Sequence, residues 1–533
     1  MGARRYSRGG YRRGVELCNL IGADLEKEMM QERERFTAVA AFLLAVALTI
    51  AIRWGGIGDI AAHADEQFYL LVGDHLLNRG AVPYVEIWDR KPVGLFLLFV
   101  GIRLLGGEGI VQYQIVALLA VAATSGILAM WILRWSGWIG AVVGVLLYNG
   151  LLVSHLGFGG QAEVFLNLFV VAAGWLVHGL VVARTPRENV DVRRFALVGG
   201  LAMLLCGLAI QIKPTAVLPG GFLGLALLWA AWRAGLRWKQ VRRLAIIWVG
   251  LALLPTMLVV LSYWAMGFLD QWMFANIFSI FEKAPDRAGA VVARIADIGR
   301  EFGRPFAVAA ILALGQCLFR RDKGLWVSTL FLLGWLLSGW AAFAALSAAY
   351  PHYALVMAPM GSLMTGYAAR GNVPGYAVAI WLMNLSLDNV GLYERRLRDS
   401  APVAAQIEAM AGTIRRHLGQ GECLYVYHGP VVLYQLTHAC IPTRFAFPNH
   451  LSIRTEASGL GADPVKETSR ILTTDPAVIV DGAFGFHQPN LATQKLVRAK
   501  LHQQYRPIAA VRDKRGRPIA TAYVRRPMAL EVR

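Results

Sequence analysis

Apolar residues run in long blocks along the first three quarters of this chain, with little of the two- or three-residue alternation of a half-buried element. Eleven stretches predict membrane-spanning helices: 36–54, 113–133, 138–155, 162–182, 195–212, 216–232, 244–266, 305–319, 325–346, 353–369 and 372–389. Each approaches the roughly 20 residues that a helix needs to cross a hydrocarbon core. A further run, VGLFLLFVGIRLLGG at 93–107, is short, follows Lys91-Pro92 and contains Arg103. It is expected to lie along the outer surface or to re-enter. Beyond residue 390 the pattern changes. PVAAQIEAMAGTIRRHL has helical periodicity, ECLYVYH and AVIVDGAF read as strands, and GPVVLYQLTH as a short helix. YRPIAAVRD and RPIATAYVRR flank a KRG turn like the arms of a hairpin. The prediction is a polytopic α-helical membrane protein with about 11 transmembrane helices and a C-terminal extracytoplasmic soluble α/β domain. Its parts are a tail at 1–35, a transmembrane domain at 36–389 with a first outer loop at 55–112, and the soluble domain at 390–533.

Charge sets the sides. With the N-terminus inside, the inner loops hold 14 Lys and Arg in about 34 residues, against 10 in the much longer outer loops. That asymmetry follows the positive-inside rule. The soluble domain then lies outside.

Composition agrees. Mean hydropathy is +0.48 and only 16% of residues are charged. The net charge of +19 is explained by cytoplasmic loops and anionic lipid head groups, so nucleic acid is excluded as a partner. Residues 1–35 are too polar for a cleavable signal peptide and read as a basic tail with an amphipathic helix. The five cysteines lack metal-binding spacing. Cys423 and Cys440 share the outer domain, and a disulfide between them stands beside two separate thiols as alternatives. The Ala/Gly/Arg-rich composition fits the inner membrane of a bacterium.

The assigned sides bring distant charges together. Asp65, Glu66, Asp89, Arg90 and Lys91 belong to the first outer loop. Glu163 lies at the outer start of the fourth stretch, Lys213 at the outer end of the fifth, and His352 and Tyr353 at the outer start of the tenth. Ionisable groups at membrane depth are costly, so a functional role is their first reading. A sugar on a polyprenyl phosphate would suit such a surface. A carboxylate can take the proton of an acceptor hydroxyl, and fixed lysines can stabilise the phosphate that leaves. A single displacement of this kind inverts the anomeric centre.

The ordered set ADEQFY, PYVEIWDRKPVG, GFGGQAEVF, IQIKPT and PHYALVMAP resembles the GT-C class of membrane glycosyltransferases, in the branch of the protein O-mannosyltransferases and lipid A aminoarabinose transferases. The resemblance covers roughly residues 36–370. It implies a polyprenyl-phosphate sugar donor, a glycan, lipid or protein acceptor, and a site facing the periplasm. It implies Asp65 as base with Glu66 beside it, and Lys91, Lys213, His352 and Tyr353 at the donor phosphate. Asp89 and Glu163 would support them or hold a divalent metal such as Mg or Mn; metal dependence stays open. Two positions depart from the pattern. Arg90 intervenes between the acid and Lys91, and a histidine, His352, stands where Arg or Lys is common.

Plainer readings accompany each residue. Asp65 suits a helix N-cap, and Glu66 a solvated face. Asp89 suits a local pair with Arg90 or Lys91, and Glu163 a cap. Lys91 and Lys213 suit snorkelling, His352 a structural helix start, and Tyr353 an interfacial anchor. Two competing functions are a transporter or flippase for a lipid-linked saccharide and a non-enzymatic scaffold. A transporter would place broken or charged segments near the midplane, whereas the charges here gather at one surface.

Overall fold

The computed structural model describes residues 32–527 except 62–63, 184–189, 347, 371–372 and 486. The expected tail helix lies outside the described residues, as does Cys18.

The bundle opens with α1 (Glu32–Gly56), and two short helices, α2 (Ala64–Arg79) and α3 (Val93–Arg103), follow. Helix α3 has 11 residues and so spans about 16 Å, too short to cross a membrane. It is buried against its neighbours instead. A Cβ on Gly73 would come within 2.9 Å of the Phe99 backbone, and one on Gly94 within 2.8 Å of the Gln211 carbonyl. Glycine at both positions is what lets α2 and α3 pack so closely on each other and on the bundle.

Then come α4 (Ile110–Ser154), α5 (Ala162–Val182), α6 (Val192–Ile212), α7 (Val217–Arg233), α8 (Trp238–Ala265), α9 (Leu269–Met273), α10 (Ala288–Ile298), α11 (Arg304–Arg320), α12 (Lys323–Ala344), α13 (Ala358–Ala368) and α14 (Val373–Arg416). Eight helices among the described residues are long and apolar enough to cross a membrane. One of them, α4, is a hairpin. Gly137 leaves helical geometry at φ 64° and ψ −164°, and the Asn149 amide donates to the Ser125 hydroxyl at 3.1 Å. In a straight helix those residues would stand about 36 Å apart. The halves of α4 therefore match the separate stretches predicted at 113–133 and 138–155. The chain is a multi-pass membrane protein.

The expected domain boundary at 389/390 falls inside one helix. Helix α14 runs through it and past Pro402, so a continuous helix, not a loop, leads into the C-terminal region. That region holds α15 (Val432–Thr437), α16 (Asn449–Ser452), α17 (Arg454–Ala457), α18 (Pro464–Thr473) and α19 (Leu491–Gln504) around strands β1 (Leu424–Val426), β2 (Val478–Gly482), β3 (Tyr505–Arg512) and β4 (Pro518–Arg525). The strand order is β1-β2-β4-β3. The first pair is parallel and the other two antiparallel. The hairpin predicted around KRG is the β3–β4 pair, with Gly516 at φ 75° in the turn. Cys423 and Cys440 are joined by a disulfide; Cys206 and Cys317 are buried and free.

This region sits directly on the first long loop. The Trp88 N–H donates to the Arg444 carbonyl at 2.9 Å. The Val432 N–H donates to the Gln67 side chain at 3.2 Å, and the Phe68 and Phe447 rings are 5.0 Å apart.

Candidate active site

The charged residues of four distant segments meet at one end of the bundle, between α2, the 80–92 loop, the start of α5, the end of α6 and the turn before α13. Helix α2 begins at Ala64, which places Asp65 and Glu66 in its first turn, where backbone N–H groups favour carboxylates. The two point to different surroundings.

Glu66 is fully buried, against the reading of a solvated face. Its Oε2 accepts the Gly160 N–H, and a Cβ on Gly159 would collide with the carboxylate. The glycine pair of GFGGQAEVF is thus a cradle for Glu66. Arg53 at the end of α1 lies within electrostatic reach of Glu66; it is itself buried and donates to the Gly157 carbonyl at 2.7 Å.

Asp65 keeps about a sixth of its side chain exposed, and its Oδ2 lies 3.9 Å from His352 Nε2. His352 is edge-on to Tyr353, with centroids 4.5 Å apart. Tyr353 in turn lies under Lys213, whose Nζ is 4.1 Å from the ring centroid. Lys213 does not snorkel. Its ammonium is bonded to Glu163 Oε1, and the side chains are 7% and 1% exposed. The other Glu163 oxygen has no hydrogen-bond partner among the described residues.

Lys91 stands over the Tyr69 ring at 5.4 Å, within electrostatic reach of Asp89, Asp65 and Glu163 and of Lys213. Burial alone would lower its ammonium pKa, but these carboxylates outweigh burial and hold it above the ordinary value. Asp89 is 8% exposed, and burial pushes its carboxyl up against the opposing pull of Lys91 and of the Arg90 N–H. That N–H donates to Asp89 Oδ1 at 2.6 Å. The Arg90 guanidinium is bonded to Glu456, a carboxylate of the C-terminal region whose charge also reaches Lys91 and Tyr353.

Seven of the eight predicted bundle residues therefore share one neighbourhood; Glu66 lies on the other side of the same helical turn, against Gly160, and Cys423 and Cys440 belong to the C-terminal region. Sequence reasoning missed Tyr69, Arg53 and Glu456. An arginine closing an apolar span was signal enough for Arg53; nothing local marked the other two. Among the described residues no group of three or more His, Cys, Asp or Glu is placed to hold a metal ion. Lysines stand among the carboxylates instead, so the donor set does not fit a metal and no step is derived through one.

No family model matches this chain, and no curated protein sequence does. Solved structures do match. The crystal structure of ArnT from Cupriavidus metallidurans bound to undecaprenyl phosphate aligns at TM-score 0.60 and 15% identity, over 90% of this chain and 97% of that one. The apo state of the same protein aligns at 0.57 and 16%, over 91% and 98%. At that identity the likeness establishes the fold, and it is the GT-C fold that the ordered motifs resemble.

Proposed function

We propose that this protein is a glycosyltransferase that moves a sugar from a polyprenyl-phosphate donor to a cell-envelope glycan or lipid at the periplasmic face of a bacterial inner membrane. The observation that carries the reading is the meeting of Asp65, Lys91 and Lys213 at one end of a GT-C bundle. A structure of the same fold binds undecaprenyl phosphate, the kind of molecule these charges suit.

The chemistry follows from the placement. The donor's isoprenoid tail stays among the apolar helices while its phosphate meets Lys91 and Lys213, each backed by an aromatic ring. His352, beside Asp65, adds a hydrogen-bonding ring at the same end of the bundle. The acceptor oxygen attacks the anomeric carbon as its proton passes to an Asp65 carboxylate oxygen. The bond from anomeric carbon to phosphate oxygen breaks, and its electron pair remains on the phosphate, where the lysines stabilise the growing charge. One displacement inverts the centre and needs no covalent intermediate. Glu66, clamped by Gly160 and faced by Arg53, fixes the first turn of α2 from which Asp65 projects.

The test is sugar release from a panel of polyprenyl-phosphate sugars by wild type and Asp65→Asn, with and without EDTA. Loss of a positioned base costs about 10²–10⁴-fold in rate, with the protein still inserted and folded. Folded wild type that binds the lipid yet turns over no donor would overturn the reading in favour of a transporter.

A further inference from the structure

The contacts of the Trp88–Lys91 segment alternate in direction. Asp89 and Lys91 face the charged cluster. Trp88 and Arg90 face the C-terminal region: Trp88 packs edge-on against His450, with centroids 4.8 Å apart, and its N–H bonds the Arg444 carbonyl. Arg90 stacks over Trp88 at 4.8 Å. Its Nη1 reaches Glu456 Oε2 at 2.6 Å, and its Nη2 donates to the Glu456 and Gly459 carbonyls, both at 3.0 Å. An arginine thus stands in the middle of a motif whose flanking residues serve the site, and every hydrogen bond of its side chain goes to the C-terminal region.

Glu456 also holds a second cation. Its Oε1 is bonded to Lys283, from the segment between α9 and α10. Two residues on, the Ser458 hydroxyl accepts the Ala284 N–H at 2.6 Å. A Cβ on Gly459 would lie 2.5 Å from the Ser279 carbonyl and 2.8 Å from Arg90 Nη2, so only glycine permits the approach. The carboxylate is half-buried, yet Lys283 and Arg90 hold its pKa down, to about 2. One residue of α17 therefore binds the site loop and the loop after α9 together.

We propose that Glu456 is a positioning residue, which fixes Arg90 and through it sets the Asp89–Lys91 turn, so that the C-terminal region builds the donor-phosphate site from outside it. Docking of that region and delivery of Lys91 to the cluster are then one event. The inference rests on the reading of Lys91 as a donor-phosphate group, and its first test does not.

That first test is amide hydrogen exchange of the full-length protein in detergent, followed in peptides across residues 82–95. Glu456→Gln keeps the shape of the side chain and removes its charge. Exchange at Trp88–Lys91 should rise at least about tenfold, the expected result of opening a local contact of this strength. Should Glu456→Gln fail to fold, Arg90→Gln serves, because Lys283 still neutralises Glu456 there. Unchanged protection in the folded variant would overturn the proposal. The second test is a double-mutant cycle on turnover of the polyprenyl-phosphate sugar. Glu456→Gln should lower kcat about tenfold with KM nearly constant, but less than about twofold when Lys91 is already Met, because both changes then remove the same interaction. An equal cost in both backgrounds would show a merely structural role and sink the positioning claim. Wild type inactive on every donor would refute the proposed function alone, and the exchange result would still decide whether Glu456 positions the Asp89–Lys91 turn.

Discussion

Glu163→Gln removes a charge and almost no volume from a pair that water hardly reaches, with side chains 1% and 7% exposed. At an effective dielectric near 20, two unit charges in contact attract by about 4 kcal/mol. The glutamine oxygen still accepts a hydrogen bond from Lys213, which returns about 1 kcal/mol. The cation–π contact with Tyr353, 4.1 Å from centroid to Nζ, is common to both forms and cancels. The net loss is about 3 kcal/mol, at the lower edge of what breaking a buried pair by removing one partner costs. Glu163→Gln with Lys213→Met removes both charges and should return to within about 1 kcal/mol of wild type. The assay is thermal unfolding in a fixed detergent, read as the fraction that stays folded by size exclusion. The expected order is wild type close to the double variant, with both single variants below. The double variant should be stable and inactive, which separates the lysine's phosphate role from its part in folding. A Glu163→Gln protein as stable as wild type, or a double variant that sums the single losses, would refute the argument.

Three further outcomes are expected. Gly159→Ala drives a methyl into the Glu66 carboxylate and breaks its bond to Gly160, at a cost of about 2 kcal/mol; an unchanged unfolding midpoint would show that the cradle is not tight. Replacing Cys423 and Cys440 by Ser opens a link between positions 17 apart. The C-terminal region should lose about 3 kcal/mol and become more sensitive to limited proteolysis, while equal digestion rates would argue against that. Glu456 titrates at about 2 in place of 4.5. Its depressed value contributes stability that is complete above the ordinary pKa and is lost as pH falls from about 4.5 to about 2. Exchange at Trp88–Lys91 should therefore be flat from neutral pH to about 5, after correction for intrinsic rates, and rise only below that. A rise centred near pH 6.5 would implicate a histidine instead.

The bundle and the membership of its charged cluster were legible because both rest on periodicity and sidedness. An apolar block long enough to cross a membrane can do little else, and once the crossings alternate, the ends of α5 and α6 must face the first loop. The same reasoning set aside 93–107 as no crossing, and α3 is indeed too short for one. Partnerships were far less legible. Whether Lys213 snorkels or pairs depends on the approach of α5 to α6, which Glu163 and Lys213, 50 residues apart, do not announce. The four-residue helices α16 and α17 escaped because they are held by tertiary packing rather than by propensity over a long window. Arg90 is the instructive case. Beside a lysine, between an acid and a proline, it reads as a flaw in a phosphate-binding motif, and the partner that explains it lies 366 positions away at Glu456. A residue that breaks a local pattern at a site is often serving a contact that the local pattern cannot contain. Here the departure marks where the C-terminal region grips the loop that carries Lys91.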